Sequence, residues 1–206
     1  VYTIIAEANG CSGTPQIVRV YVNPIPDLTV ASSSVPLCSG DTTNISFTGT
    51  IPGTVFNWVV TNSTGVTGAT NGSGTSIQQV LIATSLTQGS VTYQITPTFN
   101  GCVGTPQTVT VLVNPRPELF ANPTHPPLCS GESTYISVST FNLNTVFDWV
   151  VSPVGVNGAI SGSFSGTSLL IEQPLTTSGN TVGYVDYIIT PRLDNCLGNS
   201  ITVRVY

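Results

Sequence analysis

The sequence predicts an all-β chain made of tandem β-sandwiches arranged end to end, and three observations carry that expectation. Apolar and polar residues alternate at period two, as in Val109-Val111-Val113 and Phe147-Trp149-Val151, which is the pattern of half-buried strands. Gly and Pro punctuate the chain every dozen residues or so, and nothing in it follows a helical period. The chain also repeats itself: Cys11 and Cys102, Cys38 and Cys129, and Trp58 and Trp149 are each 91 positions apart. A repeat of that length corresponds to one small domain.

The copies are readable by eye. Val91–Pro115 restates Val1–Pro24, and a third, more divergent copy runs from Tyr187 to the end. Leu37–Gly40 (LCSG) returns as Leu128–Gly131, and Val55–Val60 (VFNWVV) returns as Val146–Val151 (VFDWVV). Asn23-Pro24-Ile25-Pro26 and Asn114-Pro115-Arg116-Pro117 mark the boundaries, because alternating prolines favour a stiff connector and cannot continue a ladder. Domains are therefore expected at 24–114 and 115–206, with 1–23 as the terminal hairpin of a preceding repeat. With no Met in the chain, the sequence is expected to be an excerpt from a longer array.

Within the first full repeat, seven strands are expected near 27–34, 43–50, 54–61, 65–70, 76–82, 91–98 and 106–113. Asn9-Gly10 and Asn100-Gly101 lie between alternating runs and predict tight hairpin turns, with Asp194-Asn195 as a weaker version in the third copy. The second repeat follows the same plan, with one residue lost near Pro153 and four gained around 163–168. Both changes fall between the third and fifth strands, where a loop is expected to absorb them.

Composition narrows the class of function. Charged residues make up 6% of the chain, against about 25% in an average soluble domain. There is no Lys, and Arg19, Arg116, Arg192 and Arg204 are the only cations, so net charge is −5 without a basic cluster. Nucleic acid and anionic membrane surfaces are therefore poor partners. No apolar run reaches the 18 or more residues of a spanning helix. A surface of Thr, Ser, Asn and Gly offers trypsin-like proteases few sites, which suits life outside the cell. Five Cys without metal-ligand spacing point to an oxidising compartment. The single His, His125, has no Cys or acidic partner at a ligand spacing, so no zinc, other metal or cofactor is expected.

Together, the CSG before the second strand, the FxWxV of the third, and YxITPxxNGCxGxP followed by NPxP resemble the PKD-like, immunoglobulin-like repeats of Bacteroidota surface adhesins. The resemblance covers essentially the whole chain. The first copy departs from it at Ala6-Glu7, and the third at 195–199. It implies an all-β fold of tandem immunoglobulin-like (PKD-like) seven-stranded sandwiches and a stalk role on the surface of a Gram-negative cell. It also implies export by the type 9 system, in some relatives gliding motility, and no catalytic residues.

Cys38 precedes the second strand and Cys102 follows the sixth, nine residues after Tyr93. In an immunoglobulin-like topology those strands run the same way, so the two Cys lie at opposite ends of one sandwich, on the order of 30 Å apart. A disulfide needs Cα atoms within about 7 Å. End-to-end stacking brings Cys38 to Cys196 instead, and leaves Cys11, Cys102 and Cys129 to pair with neighbouring repeats of the same long chain. Bonds within repeats, Cys38–Cys102 and Cys129–Cys196, are the rival scheme, since the first strand could be placed differently. With no Lys, a Lys–Asn isopeptide is closed to this chain.

Trp58 and Trp149 are expected in the core between sheets, with a sugar-stacking platform as the functional alternative. Tyr93 and Tyr187 read as core or corner residues. Asp41-Thr42-Thr43 resembles an O-glycosylation site of Bacteroidota, with Thr42 as acceptor and a turn-shaping Asp41 as the plainer reading. The acids are scattered, so calcium would require a junction to recruit Asp27, Glu118 or carbonyls. No close carboxylate pair recurs, and the chain is not expected to be an enzyme. The function expected is a structural stalk. The alternatives are weak polysaccharide- or protein-binding modules acting by avidity and a filament subunit associating through edge strands.

Overall fold

The computed structural model describes residues 1–33, 35–122 and 125–206. An N-terminal hairpin holds β1 (Tyr2–Ile4), β2 (Glu7–Ala8), β3 (Cys11–Ser12) and β4 (Gln16–Val18). The next segment holds β5 (Thr29–Ala31), β6 (Leu37–Cys38), β7 (Ile45–Thr48), β8 (Val55–Thr64), β9 (Val66–Thr67), β10 (Gly72–Ser73), β11 (Ser76–Ile77), β12 (Ile82–Ala83), β13 (Gly89–Phe99), β14 (Cys102–Val103) and β15 (Gln107–Asn114). The last holds β16 (Phe120–Ala121), β17 (Ile136–Ser139), β18 (Val146–Val154), β19 (Val156–Asn157), β20 (Gly162–Ser165), β21 (Ser168–Ile171), β22 (Thr176–Thr177), β23 (Tyr184–Leu193), β24 (Cys196–Leu197) and β25 (Ile201–Val205).

Each full repeat is a two-layer sandwich. One layer orders β11-β7-β5, and the other β10-β8-β13-β15-β6. In the second repeat the layers are β16-β17-β21 and β20-β18-β23, with β24 and β25 both on β23. Alternation along β13 explains the arrangement: Val91, Tyr93 and Ile95 are fully buried while Thr92, Gln94 and Thr96 are not. Those inward residues cluster with Phe56 and Trp58 of the neighbouring β8 and with Ile45, Phe47 and Ile77 of the facing layer. Burying each such side chain contributes about 1.5–3 kcal/mol before chain entropy is charged against it. The second core repeats the set with Ile136, Val138, Phe147, Val185, Tyr187 and Ile189.

A polar cluster recurs at the rim of each core. Tyr93 donates its hydroxyl to Gln79 Oε1 at 2.9 Å, and the Gln79 amide donates to the Thr70 carbonyl at 2.8 Å. Tyr187, Gln173 and Ile160 repeat the same bonds. The Trp58 and Trp149 indoles donate to those same two carbonyls. Burial pushes the Tyr93 phenol up to about 12 and also raises Tyr187.

Three features differ from the sequence expectation. The first strand is split: β5 lies on the β7 layer, while β6 crosses over and pairs parallel with β15. Pro36 intervenes, with no backbone donor for either ladder; Ser34, within the expected strand, lies outside the described residues. The fifth strand is also broken, into β11, a bridge at Val80 and β12. The insertion and deletion fall in strands, not loops. β8 carries a bulge opposite Thr92/Tyr93 that leaves Thr61 unpaired, and β18 pairs with β23 without any shift. The residue lost near Pro153 is that bulge. The four residues gained lengthen both arms of the crossing between layers, so that β20 on β18 and β21 on β17, four residues each, replace the two-residue β10 and β11.

Candidate functional site

The junction between the two full repeats gathers more specific chemistry than any other place among the described residues, and it is built from the CSG turn. Cys38 O accepts from Asp41 N at 2.9 Å, and the Asp41 carboxylate accepts from Cys38 N at 3.2 Å. Gly40 takes a φ of 91° that only glycine adopts without strain. Glu132 closes the Cys129 turn in the same way, at 2.7 Å. Because β6 runs parallel to β15, Cys38 lies beside Asn114 at the end of the first sandwich, where the linker begins. Ser39 N donates to the Asn114 carbonyl at 2.8 Å and fixes that register.

The second repeat meets this turn with the loop between β23 and β24. Leu193 and Cys196 face each other across it, and Asp194 holds a left-handed φ of 51°. The segment after β24 folds back on the linker, so that a Cβ on Gly198 would strike the Pro117 carbonyl; Gly104 meets Pro26 in the same way one repeat earlier. Cys38 and Cys196 are joined in a disulfide with Cα atoms 5.4 Å apart, across 158 residues of sequence. Cys196 is 1% exposed.

Two further side chains tie the same corner. Arg116 donates from Nε to the Ser39 carbonyl at 2.8 Å, from one terminal nitrogen to the Leu197 carbonyl at 2.9 Å, and from the other to Asp41 Oδ1 at 2.8 Å. One guanidinium thus bridges both repeats. Asn114, 6% exposed, accepts from the Gln88 amide at 2.7 Å and donates to the Asp194 carboxylate at 3.2 Å. On the flank, Asn142 donates to the Leu86 carbonyl at 3.1 Å. Sequence reading missed Arg116 and Asn114; the signal available was that Arg116, one of four cations, stands inside a linker next to a repeated CSG[DE] turn.

The first junction shows the other half of the pattern. Asn23 donates to the Asn100 carbonyl at 3.3 Å, and Cys102 Sγ lies 3.8 Å from the Asn23 carbonyl. Ile25 stands where the second junction has Arg116. Cys102 is half-buried, Cys11 and Cys129 are exposed, and all three are free thiols.

The remaining candidates are distributed through the two sandwiches. Trp58 is buried and Trp149 half-buried, each with its indole over the glycine of the neighbouring strand, Gly72 or Gly162. Tyr93 and Tyr187 are fully buried. Thr42 is exposed, in a bridge with Val80. Asp27 accepts from the Thr50 backbone and hydroxyl at 2.8 and 2.9 Å, which hold its carboxyl below the usual range. His125 accepts from Tyr135 N through Nε2 at 3.0 Å and turns Nδ1 to the Pro126 carbonyl. Among the described residues, no three His, Cys, Asp or Glu side chains come together as a metal site.

These features define a pair of tandem β-sandwich modules fastened at their shared end, with a disulfide of the kind found in extracellular proteins. The chain belongs to the PKD-like domain family, which it matches over residues 35–117 and again over 127–206. Such domains are typically non-catalytic modules. It matches none of the curated proteins. Among solved structures, it is similar to the fibronectin(III)-like modules of Clostridium thermocellum CbhA, at 14% identity over 86% of this chain and 93% of that one, with a TM-score of 0.36. The IG1+IG2 pair of DIP-gamma gives 12% identity over 88% and 96%, with a TM-score of 0.33. The FN1-FN3 domains of chicken CNTN1 give 12% over 98% and 72%, with a TM-score of 0.32.

Proposed function

We propose that this chain is a run of stalk repeats, divided at 24–114 and 115–206, from a large secreted adhesin. It stands on the surface of a Gram-negative, Bacteroidota-type cell, exported by the type 9 route. The repeats space a distal binding region from the cell and carry tension. The observation that supports this reading best is the junction, where a disulfide, the Arg116 bridge and the Asn114 network converge on one corner. A domain that bound ligand independently would gain nothing from such fastening. In the longer array, Cys102 and Cys129 take partners in the neighbouring repeats, Cys11 does likewise, and the exposed Thr42 is the O-glycan acceptor. Replacing both repeats in the surface-displayed parent with unrelated sandwiches of equal length tests the reading. Attachment persists if these repeats are spacers; its loss would sink the stalk reading.

One observation favours a second reading. The lengthened β20–β21 crossing between layers exposes Phe164 and Leu170, while β10 and β11 are two residues each. A weak polysaccharide or protein site acting by avidity would sit there, and exchanging 160–168 for 70–76 would then abolish attachment while leaving the number of repeats unchanged.

A further inference from the structure

The Cys38–Cys196 bond does more than fasten two modules, because it changes which part of the backbone a pull can reach. When tension is applied between Val1 and Tyr206, the shortest covalent route runs through residues 1–38, crosses the disulfide and leaves through 196–206. We propose that this bond is a tension shunt: residues 39–195, which hold nearly all of both cores, lie off the covalent load path and cannot be drawn out while it is intact. Among the described residues, the buried side chains of the two core clusters that belong to the loaded segments are Leu28, Val203 and Val205. The shunt does not depend on the stalk reading, since a ligand-binding array of the same covalent topology would have it too.

The loaded segments carry their own side-chain ties, independent of the sulfur chemistry. On the exit side, β25 is the strand that must hold. Arg204 ties it to β23 with two bonds of 2.7 Å to the Asp186 carboxylate, and its guanidinium lies 4.3 Å from the Tyr184 ring centre. On the entry side, Asp27 is held by Thr50, and the Leu28 carbonyl accepts from the Gln107 amide at 2.7 Å. Both ties lie just ahead of β5. Of the strands on the loaded route, β5 and β25 are therefore latched at the points where a pull would start to peel them.

Reduction opens the shunt. Two equivalents of a small thiol convert the bond to two protein thiols and one small-molecule disulfide. The 158 residues it spanned then become part of the loaded chain. At the ~3.5 Å per residue of an extended backbone, that stored length is on the order of 550 Å. The loaded segments of the oxidised chain supply only about 170 Å.

Single-molecule pulling of the full chain tests this, with handles at both termini and the free thiols alkylated beforehand. The oxidised chain is expected to stop extending after about 170 Å, and adding dithiothreitol at constant force to release a further step on the order of 550 Å. The Cys38→Ser/Cys196→Ser variant should extend by the full length with or without reductant. Arg204→Ala should lower the force of the first, short extension and leave the reductant-gated step unchanged. Full extension of the oxidised chain, or no added length on reduction, would overturn the proposal. Either result leaves the stalk reading to the replacement experiment, which reads attachment and not length.

Discussion

Arg116 shows how much of the junction rests on one side chain. Its ion pair with Asp41 is about two-fifths exposed on each side, so its Coulomb term is small, and the two carbonyls it also reaches make up the rest. Arg116→Ala is expected to lower stability by about 1 kcal/mol in urea melts of the reduced chain, and Ile25→Ala should cost less. Gly198 sits under a harder constraint, since any side chain there meets the Pro117 carbonyl. Gly198→Ala should cost ~2 kcal/mol or more; an unchanged melting temperature would show that the linker can move aside. Tyr93 makes a pH prediction. Its phenol, ordinarily near 10, is pushed up to about 12 by burial. The stability it contributes is complete below about 10 and is lost as pH rises from there through about 12, because the unfolded chain ionises first. Thiol-blocked protein should lose stability over that window, and Tyr93→Phe should flatten the loss. Of these residues, sequence reading marked Tyr93 as a core or corner residue, and alternation along β13 turns it inward. It passed over Arg116 because the earlier copy has Ile25 at that point, so the repeat comparison presented a difference in junction contacts as drift.

At the scale of elements, the strands that alternate cleanly were the legible ones. β7, β8, β13 and β15 all lie within ranges set by period-two patterning or within a residue or a few of them, and the Asn-Gly turns have the left-handed φ that this pair favours, 45° and 82° at Asn100 and Gly101. β6 was not legible. A two-residue strand has no period to detect, and its parallel partner β15 lies more than seventy positions away, so nothing local announces the crossover. The cysteine connectivity turned on how repeats stack: end-to-end packing pointed to Cys38–Cys196, the pair that is bonded, and the rival bonds within repeats rested on a different placement of the first strand. The bulge in β8 invites a direct experiment. Deleting Thr61 leaves every other pairing with β13 in place and reproduces the plain register of β18. The deletion is expected to cost less than about 1 kcal/mol, measured by urea denaturation. A loss of folding would mean that the bulge sets the twist of the first sandwich.

For the whole molecule, the disulfide closes a loop long enough that chain-entropy bookkeeping gives it up to about 5 kcal/mol. Reduction should therefore move the urea midpoint down in the chain with free thiols blocked. A nick tests connectivity in another way. Cleavage after Arg192 leaves the short C-terminal peptide attached through Cys196, to be released only when reductant is added.

The ion pairs have a wider consequence. Three of the four arginines are committed to short pairs with Asp41, Asp148 and Asp186, and most of the rest of the described surface is uncharged. Dissolved ions have little here to screen. Melting temperature should barely change between dilute buffer and the ionic strength of seawater, so the chain would keep the same strength in a river and in an estuary, where a more charged protein would soften or stiffen with every tide.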